Sequence, residues 1–152
     1  MARILTPPRA TIDMLSDTDF FSVLTAEQRA RVSGICRWQE FPEAQPIYSH
    51  GELAKYFYVL ADGAVKFAIG FGGRNATAGD MLRRGNVFGW AALTPAAKYR
   101  IATASCVTPC TVLAIDGEEF LDLMERDNAL GFRVMKQLNL LITGTLTAFA
   151  AG

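Results

Sequence analysis

Short apolar runs separated by glycine-containing turns dominate the middle of the sequence. Residues 56–60 and 64–69 are rich in aromatic and β-branched residues, and Asp62 and Gly63 lie between them, a combination typical of a hairpin. Similar runs recur about every ten residues, a spacing that predicts an antiparallel β-sandwich or barrel. The other predicted strands are residues 36–41, 46–50, 75–84, 100–105 and 110–115.

The pattern becomes helical on both sides of these strands. Thr25 and Gln28 have the spacing of a capping box, which predicts a helix start shortly before the first strand. Asp116, followed by Glu118 and Glu119, predicts another helix start, because a capping aspartate and acidic side chains stabilise the positive end of the helix dipole. The sequence is therefore divided into an irregular leader (1–17), a β-rich body with flanking helices (18–128) and a long C-terminal helix (129–152).

The last predicted helix carries an apolar seam. Its apolar and small residues recur at alternating spacings of four and three, as in a coiled coil. Such a helix is expected to pack against its own body on one side and against a twin on the other, so the sequence predicts a homodimer. The predicted interface residues are Val134, Leu138, Leu141, Thr145 and Ala148.

Composition and charge narrow the classes of partner. Fifteen lysines and arginines balance 15 aspartates and glutamates, so no net field would draw the chain to nucleic acid or to an acidic membrane. The uncharged stretch 138–152 is shorter than the roughly 20 residues that span a bilayer. Three cysteines without an apolar leader indicate a cytoplasmic setting. We therefore expect no direct contact with nucleic acid and no membrane insertion.

Residues 85–103 carry the most distinctive candidate chemistry. Residues 88–92, FGWAA, offer backbone N–H groups that small side chains leave open, and Arg100 follows on the next predicted strand. Backbone donors can surround an anion, and a guanidinium can hold it bidentately. This pattern predicts a receptor for a phosphate or a carboxylate. The alternative is a strand–turn–strand unit in which Arg100 only faces solvent.

Other side chains give no catalytic or metal-binding pattern. His50 is the only histidine, and no nucleophile motif accompanies it. Cys36, Cys106 and Cys110 are too few and too strand-bound for a zinc or iron–sulfur site, so we interpret them as core thiols. An enzyme at the mouth of a barrel would need paired histidines or carboxylates, which the sequence does not offer. We therefore expect neither an enzyme nor a metal site.

The order of helix, strands, glycine turn, strand, short helix and long helix resembles that of the cyclic nucleotide-binding domain. The likeness is to the sensor half of the catabolite activator and fumarate–nitrate regulator superfamily, over about residues 18–150. It implies a mainly β fold with flanking helices: a double-stranded β-helix (jelly-roll-like) barrel, an N-terminal helix and a long C-terminal dimerisation helix. The segments that carry it are 47–51 (IYSHG), 58–66 (YVLADGAVK), 85–93 (GNVFGWAAL), 100–103 (RIAT) and 110–115 (CTVLAI).

The resemblance also implies where a ligand would bind. Residues 89–100 match the phosphate-binding cassette, whose N–H groups and arginine hold the cyclic phosphate. Thr145 stands at the position from which family members reach the base, although it would equally be a small polar residue tolerated in the helix seam. The residues predicted to bind ligand are Phe88, Gly89, Trp90, Ala91, Ala92, Arg100, Ile101, Ala102 and Thr145.

The sequence departs from the family pattern around the sugar. Trp90 stands where a glutamate usually accepts from the ribose 2′-hydroxyl, Ile101 where a hydroxyl residue is frequent, and Asn86 where an acid is usual. An indole has a donor and no acceptor, so it cannot replace that carboxylate. Loss of the acceptor is expected to weaken cyclic nucleotide binding. Trp90 would either stack on a planar ligand or fill the pocket.

Two functions stay open on this basis. The first is a non-enzymatic sensor that holds a small anionic effector (cyclic AMP, cyclic GMP or another anion) near Arg100 and signals through a dimer helix. The second is a dimerisation or interaction scaffold whose pocket is closed by Trp90. Regulators that this chain resembles carry a helix-turn-helix domain after the long helix, whereas this sequence ends at Gly152. Either it is cut short before such a domain or it acts through a partner protein.

Overall fold

The described strands form two antiparallel sheets, flanked by helices at both ends of the chain. The computed structural model describes residues 2–4, 8–71, 74–77, 81–95, 98–144 and 151–152. Its strands are β1 (Ala2–Ile4), β2 (Cys36–Phe41), β3 (Pro46–Tyr48), β4 (Tyr56–Asp62), β5 (Val65–Phe71), β6 (Arg74–Thr77), β7 (Val87–Phe88), β8 (Thr103–Cys106) and β9 (Cys110–Asp116). Its helices are α1 (Pro8–Ser16), α2 (Asp19–Ser22), α3 (Ala26–Ser33), a 3-10 helix (Trp90–Leu93), α4 (Gly117–Arg126) and α5 (Asn128–Gly144).

The core lies between the two sheets and under the helices. One sheet has the strand order β1-β2-β9-β4-β7, and the other has the order β3-β8-β5-β6. Phe57 on β4, Phe67 on β5, Phe88 on β7 and Leu113 on β9 are all fully buried. Residues from both sheets therefore share one apolar interior. This architecture confirms the predicted fold class, a mainly β body with flanking helices.

The hairpin predicted at Asp62 and Gly63 is wrong. β4 pairs with β9 and β7, whereas β5 pairs with β6 and β8, so the turn carries the chain from one sheet to the other. Gly63 has a φ of 100°, and a Cβ at this position would lie 2.6 Å from the carbonyl oxygen of Pro109. The turn itself lies where the sequence predicts it. Its strands pair elsewhere because packing between the sheets decides the partners.

Residues 2–4 and 8–16 form regular secondary structure, which contradicts the irregular leader predicted over residues 1–17 for these parts of the segment. β1 pairs with β2, and α1 occupies most of the segment. Met14 and Leu15 are buried in the core, and Thr11 Oγ1 accepts a hydrogen bond of 2.8 Å from Trp38 Nε1. An isolated helix of this length is marginal in water. Its stability comes from the surface that it covers, which the local pattern does not reveal.

Both helix starts that the sequence predicts are present. The backbone N–H of Gln28 donates to Thr25 Oγ1 at 3.1 Å, and the N–H of Thr25 donates to Gln28 Oε1 at 2.9 Å. The N–H groups of Glu118 and Glu119 donate to Asp116 Oδ1 at 2.9 and 3.1 Å. These caps involve residues within a single turn, and therefore the sequence alone suffices to find them.

α5 packs its seam against its own chain. Val134 and Leu138 are buried in the core, and Leu141 is half-buried against it. These side chains are thus already covered, whereas the predicted interface required them to face a twin helix. Thr145 and Ala148 lie outside the described residues, and the homodimer stays a prediction. The large apolar side chains that α5 exposes are Phe132, Met135 and Leu140.

The helices in the described part of the chain are too short or too polar to cross a membrane. α5, which spans Asn128–Gly144, is the longest of them.

Replacing Gly63 by alanine should destabilise the protein more than the same change at Gly51. Both glycines have positive φ values, 100° and 85°, so each substitution is expected to cost about 1–2 kcal/mol of backbone strain. Only at Gly63 would the new Cβ collide with backbone, whereas no described atom lies within 4 Å of it at Gly51. The collision should add about 1–3 kcal/mol, measured by urea-induced unfolding. Equal losses in the two variants would contradict the tight corner at Gly63.

Candidate anion-binding site

β7 ends in a sharp turn at Gly89 that presses against the start of β4. Gly89 has a φ of 80° and immediately precedes the 3-10 helix. A Cβ at this position would lie 2.9 Å from the carbonyl oxygen of Tyr56 and 3.1 Å from Arg100 Nη1. Glycine is required here because it permits both the left-handed conformation and the close approach. The turn therefore brings the backbone of residues 89 and 90 next to the Arg100 side chain.

Arg100 is a buried cation held by backbone oxygen atoms. The residue is 3% exposed. Its Nη1 donates to the carbonyl oxygen of Gly89 at 2.9 Å and to the backbone oxygen of Gly152 at 2.9 Å. Its Nη2 donates to the carbonyl oxygen of Tyr56 at 2.6 Å. Nε is buried and has no hydrogen-bond partner among the described residues, so the guanidinium retains an unused donor.

Two tyrosine rings cover this cation. Arg100 Cζ lies 4.1 Å from the ring centroid of Tyr48 and 6.0 Å from that of Tyr58, within the range of cation–π attraction. The ring of Tyr58 in turn stacks on Phe88, with centroids 5.1 Å apart. All three rings are buried in the core. Packing thus fixes the guanidinium in addition to its hydrogen bonds.

Arg100 forms no direct ion pair in the part of the chain that the structure describes. Burial lowers the pKa of Arg100, and Coulomb interactions with Tyr48, Tyr58 and the Glu52 carboxylate oppose that shift. An arginine stays protonated in proteins. The site therefore contains a desolvated positive charge that an anion would compensate.

The tyrosines beside the cation are neutral phenols. Burial raises the pKa of Tyr58 to about 12, although the positive charge of Arg100 lowers it in part. The pKa of Tyr48 is raised for the same reason. Tyr48 Oη donates to the carbonyl oxygen of Ala151 at 3.2 Å. At neutral pH both phenols therefore keep their protons.

The backbone of Ala151 and Gly152 lies at the centre of the site. The carbonyl oxygen of Ala151 accepts from the N–H of Gly89 and, at 3.3 Å, from the N–H of Trp90. Gly152 lies against the indole of Trp90, where a Cβ would be 2.6 Å from Cζ2. Trp90 is consequently buried. The backbone donors that the sequence predicts for an anion thus converge on residues 151 and 152.

The structure brings some of the predicted ligand residues together and separates others. Gly89, Trp90 and Arg100 converge on one point, whereas Ile101 is exposed. Thr145 lies outside the described residues. Their roles toward a ligand stay predictions. Of the remaining predicted residues, Phe88, Ala91 and Ala102 are buried in the core, and Ala92 is half-buried.

Three tyrosines contribute to the site without having been predicted. Tyr48 and Tyr58 lie inside two segments that carry the family resemblance, but in isolation each is an ordinary aromatic residue of a strand. Tyr56 contributes its backbone oxygen, for which no side-chain signal exists. Their proximity to Arg100 depends on the packing of β3 and β4 against a residue some 40 to 50 positions further along the chain.

The three cysteines are free thiols. Cys36 Sγ donates to the backbone oxygen of Val32 at 3.3 Å. Cys106 and Cys110 are buried, and burial, together with the neighbouring Cys110, raises the pKa of Cys106 to about 12. Within the described ranges, no group of three or more His, Cys, Asp or Glu side chains could hold a metal ion.

A buried arginine beside a glycine turn thus lies at one end of an antiparallel β body. The sequence profile of the cyclic nucleotide-binding domain matches residues 38–127. The chain therefore belongs to the cyclic nucleotide-binding domain family, and its resemblance to that family is confirmed. The family and the fold are those of regulatory binding domains.

Comparison with individual proteins agrees with this assignment. The cGMP-dependent protein kinase of Toxoplasma gondii is 32% identical over 110 residues, which are 71% of this chain. The chain spans only 10% of that kinase. It therefore corresponds to a small part of the relative.

Solved structures share the fold. The catabolite activator protein of Thermus thermophilus matches with a TM-score of 0.69 and 26% identity, covering 79% of this chain and 56% of that protein. The regulatory domain of Toxoplasma gondii PKA, crystallised with cAMP, matches with a TM-score of 0.73 and 21% identity. That match covers 85% of this chain and 49% of the other.

Ionisation of Tyr58 should destabilise the protein between about pH 10 and pH 12. The pKa of a tyrosine in an unfolded chain is about 10, whereas that of folded Tyr58 is about 12, so the unfolded chain loses the proton first. The contribution of this group is complete below pH 10 and is lost as the pH rises. Relative to Tyr58→Phe, the unfolding free energy of the parent should fall by up to about 2–3 kcal/mol.

The measurement is denaturant-induced unfolding of both proteins at several pH values across this window. Tyr99→Phe, a change at an exposed ring, is the matched control. If the difference in unfolding free energy between the parent and Tyr58→Phe does not change with pH, Tyr58 is not a buried neutral phenol.

Proposed function

We propose that this chain is a non-enzymatic sensing module that binds a small anionic effector at Gly89, Trp90 and Arg100. The observation that carries the proposal is the buried guanidinium of Arg100, which forms no direct ion pair among the described residues and lies beside the N–H groups of a glycine turn. A planar cation and adjacent backbone donors form the chemistry that holds a phosphate or a carboxylate. Family membership supports a cyclic phosphate, with cyclic AMP and cyclic GMP as the first candidates.

Trp90 sets the selectivity of this proposed site. The family pattern places at this position a carboxylate that accepts from the ribose, and an indole has no acceptor to offer. A hydroxyl that loses its water on binding without gaining a partner weakens the complex. We therefore expect the site to recognise the phosphate of a ligand but not its sugar hydroxyl. An effector with a flat apolar group, which an indole can stack on, would bind better than the family pattern suggests.

Signalling would proceed through α5. Its inner face contributes Val134 and Leu138 to the core, while Phe132 and Leu140 remain exposed. Effector binding would shift the population between two packings of this helix, and the exposed side chains would report that shift to a second copy of the chain or to a partner protein. The homodimer and the partner protein are both parts of this proposal.

A scaffold with a closed pocket is the second candidate. It is favoured by the burial of Trp90 and of Ala151, which are 7% and 1% exposed. In this case, the arginine would stabilise the fold and no effector would bind. The two functions differ in whether an anion binds at Arg100, which a direct titration decides.

Arg100→Ala should strongly weaken binding of the effector. The probes are cyclic AMP and cyclic GMP, titrated into the purified protein by calorimetry. Removing a fork of charged donors that contribute roughly 1.5–3 kcal/mol each should weaken binding by at least about tenfold. Arg100→Lys keeps the charge but not the fork and should show an intermediate loss.

The matched control is Arg126→Ala, an exposed arginine paired with Asp122, which should bind as the parent does. Thermal melting of each variant establishes that it is folded. Absence of binding to both nucleotides, with no change of melting temperature over a panel of nucleotides and organic anions, would exclude the sensor and leave the scaffold.

Trp90→Glu should increase the affinity for cyclic nucleotides. It restores the acceptor for the ribose hydroxyl, for which we expect a gain on the order of tenfold. Trp90→Leu is the control, because it also removes the indole but supplies no acceptor. A gain that is equal in the two variants would show that the bulk of the indole, rather than the lost acceptor, limits binding.

A further inference from the structure

The carbonyl oxygen of Ala151 occupies the point on which the donors of the candidate site converge. It accepts from the backbone N–H groups of Gly89 and Trp90 and from Tyr48 Oη. A single oxygen that collects three donors, two of them successive N–H groups of a turn, is held as a bound oxyanion would be. Ala151 is 1% exposed, so water does not compete for these bonds.

Gly152 supplies the second contact. Its backbone oxygen accepts from Arg100 Nη1 at 2.9 Å. Its Cα lies against the indole of Trp90, where a Cβ would meet Cζ2 at 2.6 Å and Cε2 at 2.8 Å. A glycine is therefore needed at this position, since any side chain would push residue 152 away from the ring or displace the ring itself.

We propose that the backbone of Ala151 and Gly152 is an intramolecular ligand of the anion site, which an external effector must displace. The occupied groups are those that the proposed function assigns to the effector: the N–H groups of Gly89 and Trp90 and the guanidinium of Arg100. The competition between the two ligands rests on that proposed function. Occupancy of the site by the chain's own backbone does not depend on the proposed function, because it can be measured without any effector.

The physical chemistry of the contact makes this ligand replaceable. The carbonyl of Ala151 is an uncharged acceptor, and hydrogen bonds to a charged acceptor are roughly twice as strong as those between neutral groups. Arg100 has no direct ion pair within the described ranges, and Glu52 acts on it only through Coulomb interaction without an ion-pair contact. A phosphate would therefore gain both the stronger hydrogen bonds and a direct ion pair with the guanidinium. The internal segment has the advantage of its covalent attachment, which gives it a high effective concentration.

This arrangement also gives the indole of Trp90 a function. Where the family pattern has a carboxylate, this chain has a flat apolar surface, and Gly152 packs on it. The surface favours the internal segment over an effector that needs a sugar acceptor. Because the segment competes with the effector, the apparent affinity equals the intrinsic affinity multiplied by the fraction of molecules in which the site is free.

Gly152→Ala tests the occupancy. The readout is hydrogen exchange of the Gly89 and Trp90 amides in the ligand-free protein, followed by NMR. Gly144→Ala is the matched control, because a Cβ there meets no described atom within 4 Å. If the segment occupies the site in about nine-tenths of the molecules, its release should accelerate exchange at both amides on the order of tenfold. The control substitution should leave the exchange rates unchanged.

Gly152→Leu extends the test. A small movement of the Trp90 ring could make room for one methyl group, but it could not make room for a leucine side chain. Acrylamide quenching of Trp90 fluorescence in a Trp38→Phe background gives an independent measure of exposure of the indole. Unchanged exchange and quenching in both Gly152 variants would overturn the proposal.

The second arm of the experiment measures competition. Cyclic AMP and cyclic GMP are titrated into the parent, Gly152→Ala and Gly144→Ala. The proposal requires an affinity gain on the order of tenfold in Gly152→Ala alone. Equal affinity in all three proteins, in spite of faster amide exchange, would overturn the competition. If no protein binds either nucleotide, the sensor function fails, and the exchange data alone still decide whether the segment occupies the site.

Discussion

The buried guanidinium of Arg100 is the constraint on which the ligand end of this domain depends. Removing such a charge from water costs several kcal/mol unless hydrogen bonds and nearby electron density replace its hydration. Backbone oxygens of Gly89, Tyr56 and Gly152 provide the hydrogen bonds, and the ring of Tyr48 covers the cation. The glycine turn, the start of β4 and residue 152 must therefore all be in place for the charge to be tolerated. Ligand chemistry and fold stability are coupled through this one side chain.

A single position links the selectivity of the proposed site to its occupancy. Trp90 stands where the family pattern has a sugar-binding carboxylate, and its indole is the surface on which Gly152 packs. The substitution removes an acceptor and at the same time creates an apolar contact for the chain's own backbone. In this chain the N–H groups of the turn and Arg100 Nη1 already have acceptors in Ala151 and Gly152. In the proposed competition, this one residue type therefore affects binding of the effector and also binding of the backbone of residues 151–152.

Features decided within one turn of the chain were predictable, and features decided by distant packing were not. The caps at Thr25 and Asp116 were found because donor and acceptor lie within three residues of each other. The turn at Gly63 was found too, but its strands were assigned to one sheet instead of two. The helix α1 was missed since its stability depends on the surface that it covers. Pairing and burial are properties of the assembled core, which a local pattern does not contain.

The sequence by itself determined the fold class and the family, and it singled out the two groups of the proposed site, Arg100 and the glycine turn at Gly89. It did so because residue types with special chemistry stand at fixed spacings in a recognisable order. Only the tertiary structure decided that Arg100 is buried without a direct ion pair among the described residues, that tyrosines from β3 and β4 cover it, and that the Gly152 oxygen accepts from it. Those properties arise where segments far apart in the sequence meet. Burial and hydrogen-bond partners are defined only once the chain has folded.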